Sequence, residues 1–211
     1  MLKLELIDWI YLPPDPGTDC EEVRRIPPMQ RRRLGQAGKL AVGAFLELLT
    51  RNSCQPSRLI FASHSGEVLR CLKLMRSLFA GEDLSPAEFS ASVQNSSAGI
   101  ASITAGFRGE VTALNGGPET VRAAMLESFL PAGDGGDGTV LTVLGEEDIC
   151  RQSMMDFPVE MDLHGPGALG LLLAPEGRGL GRILTLGDHF LRGATMPVLA
   201  ARLGAGELIL D

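Results

Sequence analysis

The chain has 211 residues, 45% of them hydrophobic and 21% charged, with a net charge of −7. That apolar content supports one sizeable core, and a single domain over 1–211 is expected. The acidic balance disfavours nucleic acid as a partner, since a phosphate-binding face needs a basic excess, and no apolar run reaches the roughly 20 residues that span a bilayer.

The opening MLKLELIDWI alternates apolar and charged residues. This predicts a half-buried strand over 2–10, with Leu2, Leu4 and Leu6 on one side and Lys3 and Glu5 on the other. A signal peptide would show an unbroken apolar block instead, so a cytoplasmic chain is expected. A proline-rich loop runs from Pro13 to Pro28. From Met29 to Thr50, Leu34, Ala37, Ala41, Ala44 and Leu48 recur at helical spacing and form one apolar stripe. Arg31, Arg32 and Arg33 near its start read as a solvated helix face rather than an anion site.

SRLIFAS (57–63) predicts a short strand that ends in the polar turn SHSGE. A helix over Val68–Phe79 follows, with Leu69, Leu72, Met75 and Phe79 on one face. NSSAGIASITAG (95–106) is built from small residues, which let two backbones approach closely; its helix propensity is moderate. A strand over 110–114 leads into a turn at Asn115, Gly116 and Gly117. A helix from Pro118 to Phe129 follows, with proline well placed in its first turn.

PAGDGGDG (131–138) reads as a surface loop. TVLTVLGEE (139–147) reads as a buried strand, with Glu146, Glu147 and Asp148 forming a solvated acidic turn. After a stretch of weak periodicity to about Gly165, residues 167–176 and 181–189 predict two strands joined by a hairpin. GELILD supplies a last strand. Strands alternating with helices predict an α/β fold, with a mixed, mostly parallel sheet layered with helices and antiparallel pairing at the end.

Few residues suggest independent chemistry. FASHSGE places His64, not serine, at the centre of what would be a nucleophile elbow, and Ala62 stands where that motif needs glycine. A turn bonded through Ser63 or Ser65 is the simpler reading; a small serine hydrolase using Ser63, His64 and Ser65 is the alternative. Cys20, Cys54, Cys71 and Cys150 are dispersed and lack CxxC spacing, and His64, His164 and His189 are far apart. No metal site and no cofactor is expected from them. The glycines of ALNGGP lack the spacing of a phosphate loop, and no lysine follows.

Read in order, QNSSAGIASITAGFRGEVTALNGGPETVRAAM resembles the N-terminal half of β-ketoacyl synthases, members of the thiolase-like superfamily. In that family a segment close to NxAAGxxSI precedes a glycine, a strand and then TACxSG. Asn95, Ala98, Gly99, Ser102 and Ile103 fall on the first motif, Gly109 on the glycine, and Thr112, Ala113 and Gly117 around the nucleophile. PPMQRRRLGQAGKLAVGAFLELL resembles the family's first long helix, GTVLTVLGEE the strand ending near LAGGxE, and HGPGALGLLLAPE the GEGAGxLVLE strand. FASHSGE and LSPAEFSASVQN are similar to segments of a shorter, chain-length-factor-like subgroup.

The resemblance implies several further expectations. Leu114 stands at the position of the catalytic cysteine, and leucine has no nucleophilic atom to form an acyl-enzyme. The chain ends at Asp211, so the histidines of the family's second half are not expected here; His164 and His189 do not take their roles. The implied role is that of a non-catalytic ketosynthase-like protein of fatty-acid- or polyketide-type biosynthesis, such as an aryl-polyene pathway. Its partner would be a ketosynthase or a second copy of itself. An acyl carrier protein is a further possible partner, and a carrier-protein-binding module an alternative role. The turn from Thr112 to Gly117, with Phe107 and His64, would form the pocket region. Asn95, Ser96, Ala98, Gly99, Ser102 and Ile103 would face a partner, with Phe107 beside them. A half fold would also leave apolar surface uncovered, which points to an interface.

Overall fold

A computed structural model describes residues 1–13, 20–130, 138–147 and 167–210. The loop expected over 131–138 lies outside them except for Gly138, as do Asp148, Cys150 and His164. Seven strands form one sheet: β1 (Leu2–Leu12), β2 (Arg58–Ala62), β3 (Glu110–Leu114), β4 (Val140–Glu146), β5 (Gly167–Pro175), β6 (Arg182–Leu186) and β7 (Ile209–Leu210). Their order is β3-β2-β4-β5-β1-β6-β7. The expected mixed α/β sheet is present, but antiparallel pairing is not confined to its end. β2 is parallel to β3 and β4, and β6 to β7, while β1–β5, β1–β6 and β4–β5 are antiparallel.

Helices cover both faces. α1 (Glu21–Arg24), α3 (Gln36–Asn52) and α6 (Ser96–Ala105) pack on one, through Val23, Phe45, Leu48 and Ala98 against Leu59, Phe61, Leu141 and Val143. α7 (Thr120–Phe129), α8 (Asp188–Gly193) and α9 (Met196–Gly204) pack on the other, through Met125, Phe190 and Leu199 against Leu144, Leu171 and Leu184. Alternate residues of β5 serve opposite faces: Leu169, Leu171 and Leu173 belong to the second core, Ala168 and Leu172 to the first. In β1 a register shift between Leu6 and Asp8 reverses that alternation. Leu4 and Leu6 before it, and Trp9 and Tyr11 after it, therefore reach the same core.

The long helix expected over Met29–Thr50 is interrupted. α2 (Pro28–Arg31) ends before Gly35, whose extended backbone starts α3. The predicted stripe Leu34, Ala37, Ala41, Ala44 and Leu48 is buried, and so are Leu40, Val42 and Phe45 around the helix. α1 lies so close on α3 that a Cβ at Gly43 would sit 3.2 Å from the Glu22 carbonyl carbon. Helices of this chain thus cover both faces of the sheet. The exposed apolar side chains lie elsewhere. On α4 (Val68–Phe79) only Leu72 of the predicted face is buried, and Met75 and Phe79 are exposed, as is Phe89 of α5 (Pro86–Ala91).

The hairpin expected between β5 and β6 is replaced by a crossover. Both strands pair with β1, which runs between them. The connection passes over β1, where the Glu5 carboxylate accepts the N–H groups of Gly179, Leu180 and Gly181 at 2.8, 2.6 and 3.3 Å. Glu5, expected on the solvated side, is therefore 2% exposed. The N–H of Gly179, followed by that of Leu180, holds its pKa below the usual value. The strand expected over 181–189 stops at Leu186; α8 takes over its last residues from Asp188, and α9 fills residues to which the sequence pattern assigned nothing.

Candidate functional site

The parallel strands β2, β3 and β4 end side by side, with Ala62 level with both Leu114 and Leu144. In open α/β sheets this carboxyl edge is where ligands bind. Three turns meet there: SHSGE after β2, Asn115–Gly117 after β3, and Glu146–Glu147 at the end of β4.

The first turn is organised by Glu146. Its carboxylate accepts the His64 backbone N–H at 2.5 Å and the Ser63 and Ser65 hydroxyls at 3.2 Å each. Ser63 Oγ also accepts the Gly66 N–H at 2.8 Å. Both hydroxyls thus donate to Glu146, an arrangement that builds a turn rather than a serine–histidine pair. The acidic turn expected to be solvated is not: Glu146 and Glu147 are 5% and 6% exposed. Burial raises both pKa values. The His64 amide, among other donors, partly offsets this at Glu146, while Glu147 reaches about 7.

The second turn is locked by Thr120. Its hydroxyl donates to the Gly117 carbonyl at 2.7 Å and accepts the Gly116 N–H at 3.1 Å. The Asn115 side chain accepts the Gly117 N–H at 3.3 Å, and Gly117 takes the left-handed φ of +54° that favours glycine. A short 3-10 turn, Gly117–Glu119, leads into α7. Thr112, Ala113 and Leu114 are half-buried on β3. Leu114 lines a cavity of about 30 Å³ with Phe61, Ala62, Gly38, Gln94 and Ser97. That is room for a water or two, not for an alkyl chain. His64 lines a separate cavity of about 10 Å³ with Thr120, Leu144 and Met196.

The residues expected at a partner surface divide. Asn95 and Ile103 are exposed, and Ser96, Gly99 and Ser102 are partly so. Ala98 is not available: it is 0% exposed and packs under α3. Phe107 also turns inward. Its ring meets Phe45 edge-on at 6.4 Å, inside this chain's own core. α6 ends in a left-handed Gly106, with the Phe107 N–H returning to the Ser102 carbonyl at 2.8 Å, and that closure aims Phe107 inward. Among the described residues β3 pairs only with β2, so its other edge carries no strand of theirs, and Val111 is exposed.

The arginine cluster is not one helix face. Arg32 and Arg33 follow α2 and line a cleft of about 360 Å³ with Arg70, Pro86, Glu88 and Ser90. Among the described residues no His, Cys, Asp and Glu group could hold a metal ion, and no helix is long and apolar enough to cross a membrane. Sequence reasoning missed Glu67, Arg70, Gln94 and Ser97. Glu67 closes the SHSGE motif, but its neighbours come from distant segments and no local pattern announces them.

Residues 9–186 match the family model described as beta-ketoacyl synthase, N-terminal domain. This chain belongs to that family. No curated protein sequence matches it. Among solved structures, β-ketoacyl synthase relatives share its fold. A chain of the ketosynthase ApeO in complex with its chain length factor ApeC, from Xenorhabdus doucetiae, superposes with a TM-score of 0.67 at 24% identity, over 83% of this chain and 80% of that one. A beta-ketoacyl synthase from Burkholderia phymatum gives 0.58 at 15% identity, over 77% and 46%. The ishigamide ketosynthase/chain length factor gives 0.57 at 14%, over 80% and 55%. The chain spans about half the length of the last two. In this β-ketoacyl synthase domain β3 ends in Leu114 and leads through the Asn115–Gly117 turn into α7.

Proposed function

We propose that this domain is a non-condensing, chain-length-factor-type member of the family. It would act beside a cysteine-bearing ketosynthase in fatty-acid- or polyketide-type biosynthesis, aryl-polyene pathways being the kind its segments resemble. One observation carries the reading. Leu114 occupies the strand end to which the family motif assigns the nucleophilic cysteine, above a cavity too small for an acyl chain. Acyl transfer by this chemistry needs a thiolate there.

The test is intact mass after incubation with an acyl thioester. The wild-type chain is expected to gain no acyl group. Leu114→Cys is expected to gain one at the new thiol, because the start of α7 beside that turn favours a thiolate. Acylation of the wild-type chain at Ser63, Ser65 or a native cysteine would overturn the reading and favour the hydrolase alternative.

The Arg32–Arg33–Arg70 cleft favours a second reading, contact with an acidic acyl carrier protein. Arg70 is held by Glu67 and Glu88, whereas Arg32 and Arg33 are exposed at its rim without a carboxylate partner among the described residues. Reversing both charges (Arg32→Glu with Arg33→Glu) is expected to weaken carrier-protein binding about tenfold at low salt and little at high salt, as screened surface charges do. Titration calorimetry at two ionic strengths measures it; unchanged affinity contradicts the reading.

A further inference from the structure

Glu67 and Glu147 crowd one point beside Gly35. A Cβ on Gly35 would lie 2.7 Å from Glu147 Oε1 and 3.1 Å from Glu67 Oε2. The two residues are 8% and 6% exposed, respectively. Glu67 accepts the Ser97 hydroxyl at 3.3 Å and pairs with Arg70 Nε at 3.3 Å. Arg70 is also committed to Glu88 at 3.1 Å and to the Arg33 carbonyl at 3.2 Å. The Glu147 carboxyl faces the backbone N–H of Leu69 in the first turn of α4, and its Oε2 has no hydrogen-bond partner among the described residues. Glu146 adds a further buried carboxyl next to it. Arg70, half-buried, thus serves Glu67 and Glu88, the latter also paired with Lys73, while Glu147 has no ion-pair partner among the described residues; a buried charge without a partner is costly.

We propose that Glu147 holds a proton in this crowded pocket beside Glu67, and that the neutral acid is a pH-sensitive latch holding the start of α4 against the end of β4 and the start of α3. Loss of the proton to solvent leaves two facing carboxylates beside Gly35 and frees the first turn of α4. The residues leading into that turn, Gly66 and Glu67, form one wall of the Leu114 cavity. The latch is independent of whether the domain condenses acyl chains.

The sign follows from the raised carboxyl pKa. Burial, then the Glu67 charge, lifts it from 4.5 to about 7. The closed latch therefore binds more protons than the open one between those values. Its contribution is complete below 4.5, declines as pH rises, and is lost above about 7.

Amide hydrogen exchange of the full chain tests this, comparing wild type with Glu147→Gln, which keeps the neutral shape. At about pH 8 the amides of Val68–Arg70 are expected to exchange on the order of tenfold faster in wild type, and at about pH 5 at equal rates. Using the ratio cancels intrinsic exchange. A ratio that does not change with pH overturns the proposal. So does a change spread equally over the β4 and β5 amides, which would mean global stability rather than a latch. If Glu147→Gln does not fold, carbon-13 titration of the wild-type glutamate carboxyls decides. A midpoint near neutrality supports the latch, and midpoints all in the ordinary carboxylate range overturn it.

Discussion

Arg58→Ala is expected to destabilise the domain by about 3 kcal/mol, because it removes a buried guanidinium with its charge-assisted bonds to two partly exposed carboxylates and to a helix carbonyl. Arg58 is 6% exposed at the start of β2. Its Nη2 pairs with Glu110 of β3 at 2.8 Å and with Glu127 of α7, and its Nη1 donates to the Glu127 carbonyl at 3.1 Å. The last contact places a cation on the C-terminal turn of α7, where the helix dipole favours it. One side chain thus ties together the starts of β2 and β3 and the end of α7, the elements that present the Leu114 turn. In a domain of this size the loss corresponds to a melting-temperature drop of roughly 10 °C. Arg58→Met with Glu127→Leu is expected to recover much of it, because the buried guanidinium and its less exposed partner are then removed together, and Glu110, 45% exposed, is left to solvent. Chemical denaturation of the two variants measures both. Equal destabilisation by the single and double changes would show that packing of the long arginine stem, not charge pairing, dominates.

The second large effect concerns association. Among the described residues β3 is an edge strand, a ready template for pairing with another chain. Val111 on that strand and Ile103 on α6 are 41% and 70% exposed. On the proposed reading, a partner would meet this strand edge together with the exposed side of α6. Ile103→Glu with Val111→Glu is expected to weaken partner association about 100-fold, since charges placed centrally in an apolar contact act as hot-spot losses. The melting temperature should hardly change, because neither side chain supports the core. Analytical ultracentrifugation of the variant beside wild type separates the cases. Unchanged association would move the interface to the exposed α4–α5 face, where Phe79 and Phe89 lie.

The parts legible in the sequence were those governed by local pattern. Leu34 to Leu48 announced α3, and the run from Val111 through Gly117 to Phe129 announced the strand, turn and helix of the candidate site. Gly117 and Pro118 carried that signal because the turn requires a left-handed residue followed by a helix start. What could not be read depends on contacts distant in sequence. Nothing near Glu5 indicates that Gly179–Gly181 will cross above it, so its polar alternation looked solvated. The bulge after Leu6 hid which face Trp9 serves. Glu146 and Glu147 read as a surface turn because their partners, at 63–70, arrive only through parallel pairing of β2 with β4. Phe107 read as a partner-facing residue because the backward closure at Gly106 is a tertiary choice. α4 looked like a core helix, yet its apolar face is mostly exposed, which sequence periodicity cannot distinguish from burial.

Leu114 remains the centre of the functional reading, and its chemistry is tested most directly beside a partner. The chain should be co-expressed with the cysteine-bearing ketosynthase of its own host, and the purified material measured by native mass spectrometry and a condensation assay. The account predicts a one-to-one complex that condenses acyl and malonyl units on the partner's cysteine, with no condensation by this chain alone. Condensation catalysed by the isolated chain, or a chain that forms no complex with the ketosynthase while the ketosynthase alone makes the full-length product, would contradict it.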